Sequence, residues 1–315
     1  MTASKHQRDE PTGTAHLDST AQLMTRITSQ LGTQLSHVRL DGSRRTPPQT
    51  RPAPHTPHTP HTPLAPSTPP ALVVVAHGSR DPRALATVHA LLDKVREERP
   101  GLPVHLGHIE LNEPRLTDTL AGLAPGRAVL APLLLSRGYH VKQDIPAALA
   151  AAPHLTARVA PPLGPHPLLV ETLYARLVEA GWDPRPDART RRESGVVLAA
   201  AGSRDPDSAA DTTRTAALLA ERLGVPVVPA YASAAAPTVP AALRALAVRG
   251  RHRAAVAAYF TAPGRFATQC AQATPWIAAA PLGAHTAMAR LLLHRYDGTL
   301  ASLAAAPVER QLTSA

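Results

Sequence analysis

Cysteine is nearly missing from this chain. Cys270 is the only one in 315 residues, so no intramolecular disulfide framework forms and one chain lacks the ligands for a thiolate metal cluster. That usage suits a reducing compartment, and a cytoplasmic protein is expected. Aromatic residues make up 3%, so the core must come from Val, Leu, Ile and abundant Ala, a mixture suited to helices packed closely on a parallel sheet. No run approaches the ~18 unbroken apolar residues of a membrane span, and the polar N-terminus has no apolar h-region. No membrane partner is expected. Long basic blocks are missing too: the formal net charge is +10, yet almost no aromatics lie in the basic stretches to stack on bases. Nucleic acid is therefore not expected, while a polyanionic small molecule stays open.

What the chain does have is proline, unevenly placed. Residues 1–70 hold 11 of the 34, with many Ser and Thr and the repeat HTPHTPHTP at His55–Pro63. Such a stretch cannot bury enough apolar area to offset its chain entropy and reads as a disordered tail. The repeat's histidines could hold a divalent ion only loosely; a solvated spacer is the plainer reading.

From residue 71 the pattern changes to strand and helix in turn. ALVVVAHGSRDP at 71–82 joins a β-branched run, read as a strand buried on both faces, to Asp81-Pro82, read as an N-cap and first helical position. Further strands are expected at Val104–Leu111, Ala128–Leu135 and Thr156–Ala160. Helices are expected at Pro82–Glu98, Pro114–Ala124, Ile145–Ala151 and Pro167–Ala180. Strict alternation implies βαβ units and a parallel sheet. The expected organisation is a first α/β domain at 71–182, a polar linker at 183–194, a second domain at 195–300 and a flexible tail at 301–315.

The second domain repeats the first. GVVLAAAGSRDP at 195–206 restates 71–82, and APLGAHTAMARLLLHRY at 280–296 echoes PPLGPHPLLVETLYARL at 161–177. A five-residue identity with a matched ending marks an internal duplication of period near 120. The copies differ at chosen points: His77 is matched by Ala201, Glu110 by about Ser233, Glu113 by about Ala236 and His140 by about Phe266. Residues needed only for packing would be expected in both copies, so their loss from one argues that they do chemistry in the other.

His77 ends strand one, Glu110 and Glu113 follow strand two, and His140 follows strand three. The carboxyl ends of adjacent parallel strands converge where open α/β sheets bind ligands. Two imidazoles with a carboxylate and no thiolate suit an open site for Fe²⁺, Co²⁺, Ni²⁺ or Zn²⁺, with His77, His140 and Glu110 as candidate ligands. Plainer roles stand beside these: His77 as a hydrogen-bonded scaffold residue, Glu113 as a helix cap before Pro114, Glu110 and His140 as solvated loop residues. His105 and His108 read as packing or solvent-facing residues, and His154 and His166 as loop or cap residues. A phosphate cradle on the same turn is the weaker motif. A Ser79 nucleophile lacks the G-x-S-x-G elbow, and Ser203 survives in the copy that lost the rest.

Four separated pieces, AHGSRDP at 76–82, IELNEP at 109–114, PLLLSRGYHVKQDIP at 132–146 and APPLGPHP at 160–167, resemble the CbiX-type sirohydrochlorin chelatases, class II tetrapyrrole chelatases related to anaerobic cobaltochelatase and protoporphyrin ferrochelatase. The resemblance implies two flavodoxin-like α/β halves, each with a four-stranded parallel sheet, facing each other across a cleft with pseudo-two-fold symmetry. It implies a lyase that inserts Fe²⁺ or Co²⁺, as substrate, into a tetrapyrrole without an organic cofactor, acting as a monomer or weak homo-oligomer. His77 would be metal ligand and proton acceptor, and His140 the second ligand. Glu113, with or without Glu110, would touch metal or macrocycle. The loop Leu135, Ser136, Arg137, Gly138, Tyr139 and His140 would line the substrate. Arg80, Arg137 and Lys142 would pair with its carboxylates, or stand as ordinary surface charges. A carrier that binds metal or tetrapyrrole in the same cleft without turnover is the alternative.

Overall fold

A computed structural model describes residues 69–305, apart from Ala234 and Pro275. The expected N-terminal tail, its HTP repeat and residues 306–315 lie outside the described residues. Two four-stranded parallel sheets carry the fold. In the first, β1 (Ala71–Ala76) lies between β2 (Val104–His108) and β3 (Gly126–Pro132), with β4 (Leu155–Val159) at the edge. The second repeats this order with β5 (Ser194–Ala200), β6 (Val227–Tyr231), β7 (Arg253–Tyr259) and β8 (Ile277–Ala278), arranged 6-5-7-8.

The duplication is exact in register. Val73 pairs with His105 and Leu130, and Val197 pairs with Val228 and Val256. The isolated bridge His108–Arg115 recurs as Tyr231–Thr238. These pairings place Phe266 at the position of His140, Ser233 at that of Glu110 and Ala236 at that of Glu113.

Helix α1 (Pro82–Glu98) begins where the sequence puts it, because the Asp81 side chain accepts from the Arg83 amide and Pro82 needs no amide partner. Helix α2 (Leu116–Ala121) is shorter than expected. A single π-helical turn, His140–Asp144, leads into α3 (Ile145–Ala150), and α4 (Pro167–Glu179) closes the first copy. A short helix, α5 (Ala188–Glu193), occupies part of the stretch read as linker, capped by Asp187, whose side chain accepts from Thr190. The second copy has α6 (Pro206–Leu223), α7 (Val239–Val248), α8 (Arg265–Gln272) and α9 (Thr286–Ala305). Helix α9 runs past residue 300, where the tail was expected to begin.

Alternation along each central strand divides the core. Leu72 and Val74 of β1 share one cluster with Val196 and Leu198 of β5 and with Leu169, Leu173, Leu219 and Leu292, between the two sheets. Val73 and Val75 face outward onto Leu116, Leu120 and Ile145, and Val197 and Ala199 face onto Val239, Ala242 and Leu246. The halves also exchange helices: α4 packs on α6 and β7, while α9 packs on α1, α4 and β3. Residues 71–182 and 195–300 are thus two sheet repeats whose closing helices lie on each other's copy. Local periodicity cannot show this, because it reports which face of a helix is apolar and not which sheet covers it.

Candidate functional site

The site begins where β1 ends. Its ladder with the β2 strand continues past both strands, with the Ile109 amide donating to the Ala76 carbonyl and the Glu110 amide to the His77 carbonyl, each at 2.9 Å. Gly78 follows at φ 102, and a Cβ there would lie 1.9 Å from the Glu110 carbonyl oxygen, so only glycine fits. The Ser79 amide donates to Asn112 Oδ1 at 2.6 Å, and Ser79 Oγ accepts from the Asp81 amide at 3.1 Å. These bonds fix the turn and leave the His77 ring exposed at the strand end. Ser203 accepts from Asp205 in the same way, so the serine serves the turn in both copies.

His140 stands beside His77, their ring centroids 4.7 Å apart and their planes at 89°. Its Nδ1 lies 2.5 Å from Asp144 Oδ2. An ionised carboxylate only accepts, so Nδ1 carries the hydrogen, and in the neutral ring Nε2 is then the nitrogen with the lone pair, the tautomer that second-shell carboxylates select in ligating histidines. Asp144 was missed from the sequence although it is four residues on. That spacing is informative only once the segment is known to be helical.

Both imidazoles open onto a cleft of about 1380 Å³ whose walls come from both copies. Arg80, Leu135, Ser136, Gly138 and Tyr139, read as substrate contacts, line it together with Glu110, read as a metal ligand, and Gly78. Arg80 has no acidic partner among the described residues. The opposite wall holds Ala201 and Phe266, the counterparts of His77 and His140, with Ser203, Arg265, Gln269 and Gln272. Leu111, also on the wall, has φ 64, a left-handed conformation that non-glycine residues adopt at a cost and that clusters near functional sites.

Three expectations need correction. Glu113 is off the cleft: its side chain is 71% exposed and takes up the Arg115 amide at 2.9 Å and Arg115 Nε at 3.1 Å, a local turn role. Arg137 is not on the cleft wall either, because Asp211 holds its guanidinium at 2.7 Å; Lys142 is held by Asp205 and Asp207 at 2.7 and 2.9 Å. Of the three charges expected for substrate, the other copy neutralises Arg137 and Lys142 and leaves Arg80 on the cleft. Glu110 lines the cleft, but no three His, Cys, Asp or Glu side chains converge on one metal-sized point among the described residues. Of the three expected ligands, the structure brings the rings of His77 and His140 together.

Elsewhere, His108 is buried, with Nδ1 3.2 Å from the Pro114 carbonyl; burial lowers its pKa. His166 and His285 each cap a helix, accepting from Leu168 at 3.1 Å and Ala287 at 3.2 Å. Burial, with the nearby Arg295 and His294 charges, lowers His166 to about 4.

Comparison with known proteins fits this geometry. A sirohydrochlorin ferrochelatase of Bacillus subtilis is 31% identical over 175 residues, which cover 53% of this chain and 64% of that relative. A sirohydrochlorin cobaltochelatase of Priestia megaterium is 25% identical over 203 residues, 62% of this chain and 65% of the relative. The chain thus spans just under two thirds of these curated relatives. Among solved structures, SirB from Bacillus subtilis with Fe³⁺ superposes with a TM-score of 0.60 at 23% identity, covering 74% of this chain and 96% of SirB. A cobalt complex of SirB gives 0.58 with 73% and 94% coverage. These likenesses show the fold. The CbiX family model matches residues 71–180 and again residues 195–299, once on each sheet repeat, and the chain belongs to the CbiX family.

Proposed function

We propose that the chain is a sirohydrochlorin chelatase, a lyase that inserts Fe²⁺ or Co²⁺ into the tetrapyrrole within the cleft between its two sheet repeats. The observation that carries this reading is the perpendicular pair of imidazoles, His77 and His140, 4.7 Å apart. It occurs in one copy only. Insertion breaks two pyrrole N–H bonds, forms metal–nitrogen bonds and releases two protons. His140 Nε2, the ring nitrogen left free of the Nδ1–Asp144 contact, offers the metal a donor. His77, at the open strand end, offers a second donor and takes up a pyrrole proton as the metal passes to the ring. Both ions accept imidazole nitrogen, and two donors hold either loosely enough for transfer.

The cleft supports the substrate side of the reading. Arg80 on one wall and Arg265 on the other are cations placed to meet carboxylates at the rim of a flat ring, and Leu135, Leu111 and Phe266 supply apolar surface for its face. Among the described residues no helix is long and apolar enough to cross a membrane. Action in the cytoplasm, with both walls supplied by one chain, completes the proposal.

The test mixes protein, sirohydrochlorin and Fe²⁺ or Co²⁺ and follows the change in ring absorption. Insertion should run well above the spontaneous rate, and His77→Ala should return it to that rate. Binding of metal and ring without acceleration would overturn the enzymatic reading in favour of a carrier.

A further inference from the structure

The loop that carries His140 is held from outside its own copy. Tyr259 of β7 donates its hydroxyl to the Leu135 carbonyl at 3.0 Å. Ser136 Oγ meets Ser208 Oγ at 2.8 Å. The Arg137 amide donates to Asp211 Oδ2 at 2.9 Å, and its guanidinium reaches both Asp211 oxygens at 2.7–3.2 Å. Lys142 bridges Asp205 and Asp207. Apart from Tyr259, these partners lie at the cap and first turns of α6.

Asp211 stands out among them because it is 4% exposed. A carboxylate that loses its water needs replacement donors, and an unpaired one is costly. Burial alone would raise its pKa, but the Arg137 hydrogen bonds outweigh that and hold it below the usual carboxylate value. The bidentate grip of a guanidinium also fixes orientation as well as distance.

The contact runs one way. By the register of the repeats, Ser208 and Asp211 correspond to Ala84 and Thr87 on α1, and the donors Ser136, Arg137 and Lys142 correspond to Ala262, Pro263 and Thr268. The second copy grips the first copy's loop and receives no such grip in return. A brace needed only for joining the halves would have no reason to favour the loop that carries His140.

We propose that Asp211 is a positioning residue for metal capture: by seating Arg137 it fixes the loop so that His140 stays beside His77. This rests on the reading of those histidines as the metal donors. The second copy, bare of ligands, then takes part in catalysis as the frame that pre-organises them.

The test uses the full chain and Co²⁺ alone, read by its visible absorption. A His77→Ala/His140→Ala double variant sets the background from other histidines. Asp297→Asn is the control, since Arg99 and Asp297 also join the two repeats, at 2.5 Å, away from the cleft. Asp211→Asn should weaken Co²⁺ binding ~10-fold or more and shift the spectrum, and Arg137→Lys, which keeps the charge without the fork, should give a smaller loss in the same direction. Asp297→Asn should leave affinity and spectrum unchanged. Wild-type Co²⁺ affinity in both Asp211→Asn and Arg137→Lys, or losses matched by Asp297→Asn, would overturn the proposal. A wild type indistinguishable from the double-histidine variant would instead overturn the metal site itself, and this proposal with it.

Discussion

The two copies share a scaffold and divide the work. Gly78 and Gly202 both turn at positive φ, Ser79 and Ser203 both accept from the aspartate two residues on, and Asp81 and Asp205 both cap a helix. These are backbone duties that any such strand-to-helix turn requires, and both copies keep them. His77 and His140 do not serve the backbone, and the second copy has Ala201 and Phe266 in their places. The turn residues are kept in both copies, and the imidazole pair in one.

Charge follows the same division with an unexpected sign. Residues 71–182 carry 11 Lys and Arg against 10 Asp and Glu, whereas residues 183–305 carry 14 Arg against 8 Asp and Glu. The basic excess lies in the copy without the histidines. Its acidic residues Asp205, Asp207 and Asp211 are spent on the other copy's loop.

The largest effect that would sharpen this comparison comes from paired glycine substitutions. Gly78→Ala drives a Cβ to 1.9 Å from a backbone carbonyl, whereas Gly202→Ala meets the Ser233 hydroxyl at 2.6 Å, a side-chain atom that can rotate away. Both carry the strain of positive φ, so Gly78→Ala should cost about 3 kcal/mol of unfolding free energy by denaturant titration and Gly202→Ala clearly less. Equal costs would break the claim that the first turn is the tighter. Next, Asp144→Asn should lower the insertion rate ~10–100-fold while leaving the melting temperature within a degree or two of wild type, as loss of a carboxylate that orients a ligating histidine does. An unchanged rate would remove Asp144 from the site.

The smallest effect is a pH dependence that the copies share. His166 titrates at about 4 in the folded chain against 6.5 ordinarily, and His285 is lowered in the same direction, chiefly by burial. A histidine held neutral by folding contributes stability that is fully present above pH 6.5 and is lost as pH falls toward 4. The melting temperature should therefore decline across that window, and His166→Asn, which keeps a cap acceptor without the titrating ring, should flatten part of the decline. An equally steep decline in that variant would assign it to other groups.

Much of this was legible in sequence, for identifiable reasons. The buried β1 strand shows as an unbroken β-branched run, the α1 start as Asp-Pro, and the duplication as GSRDP twice, because each is local. The positions of His77, His140 and Glu110 on one cleft follow from strand-end geometry. What was not legible depends on contacts far apart in the chain: Arg137 reads as a substrate contact until Asp211, 74 residues on, takes it up. The exchange of α4 and α9 is hidden for the same reason. Glu113 was misread because proximity to a ligand position in sequence does not fix the direction of a side chain beyond the end of a strand.

The account stands on one pair of histidines in one copy. Its most direct test is the initial rate of sirohydrochlorin metallation by the full chain and by His77→Ala, with Co²⁺ and with Fe²⁺, at matched protein concentration. The account predicts acceleration by the wild type and a fall of ~10²–10⁴-fold, or to the spontaneous rate, in the variant; a His77→Ala chain that metallates the ring as fast as wild type would contradict it.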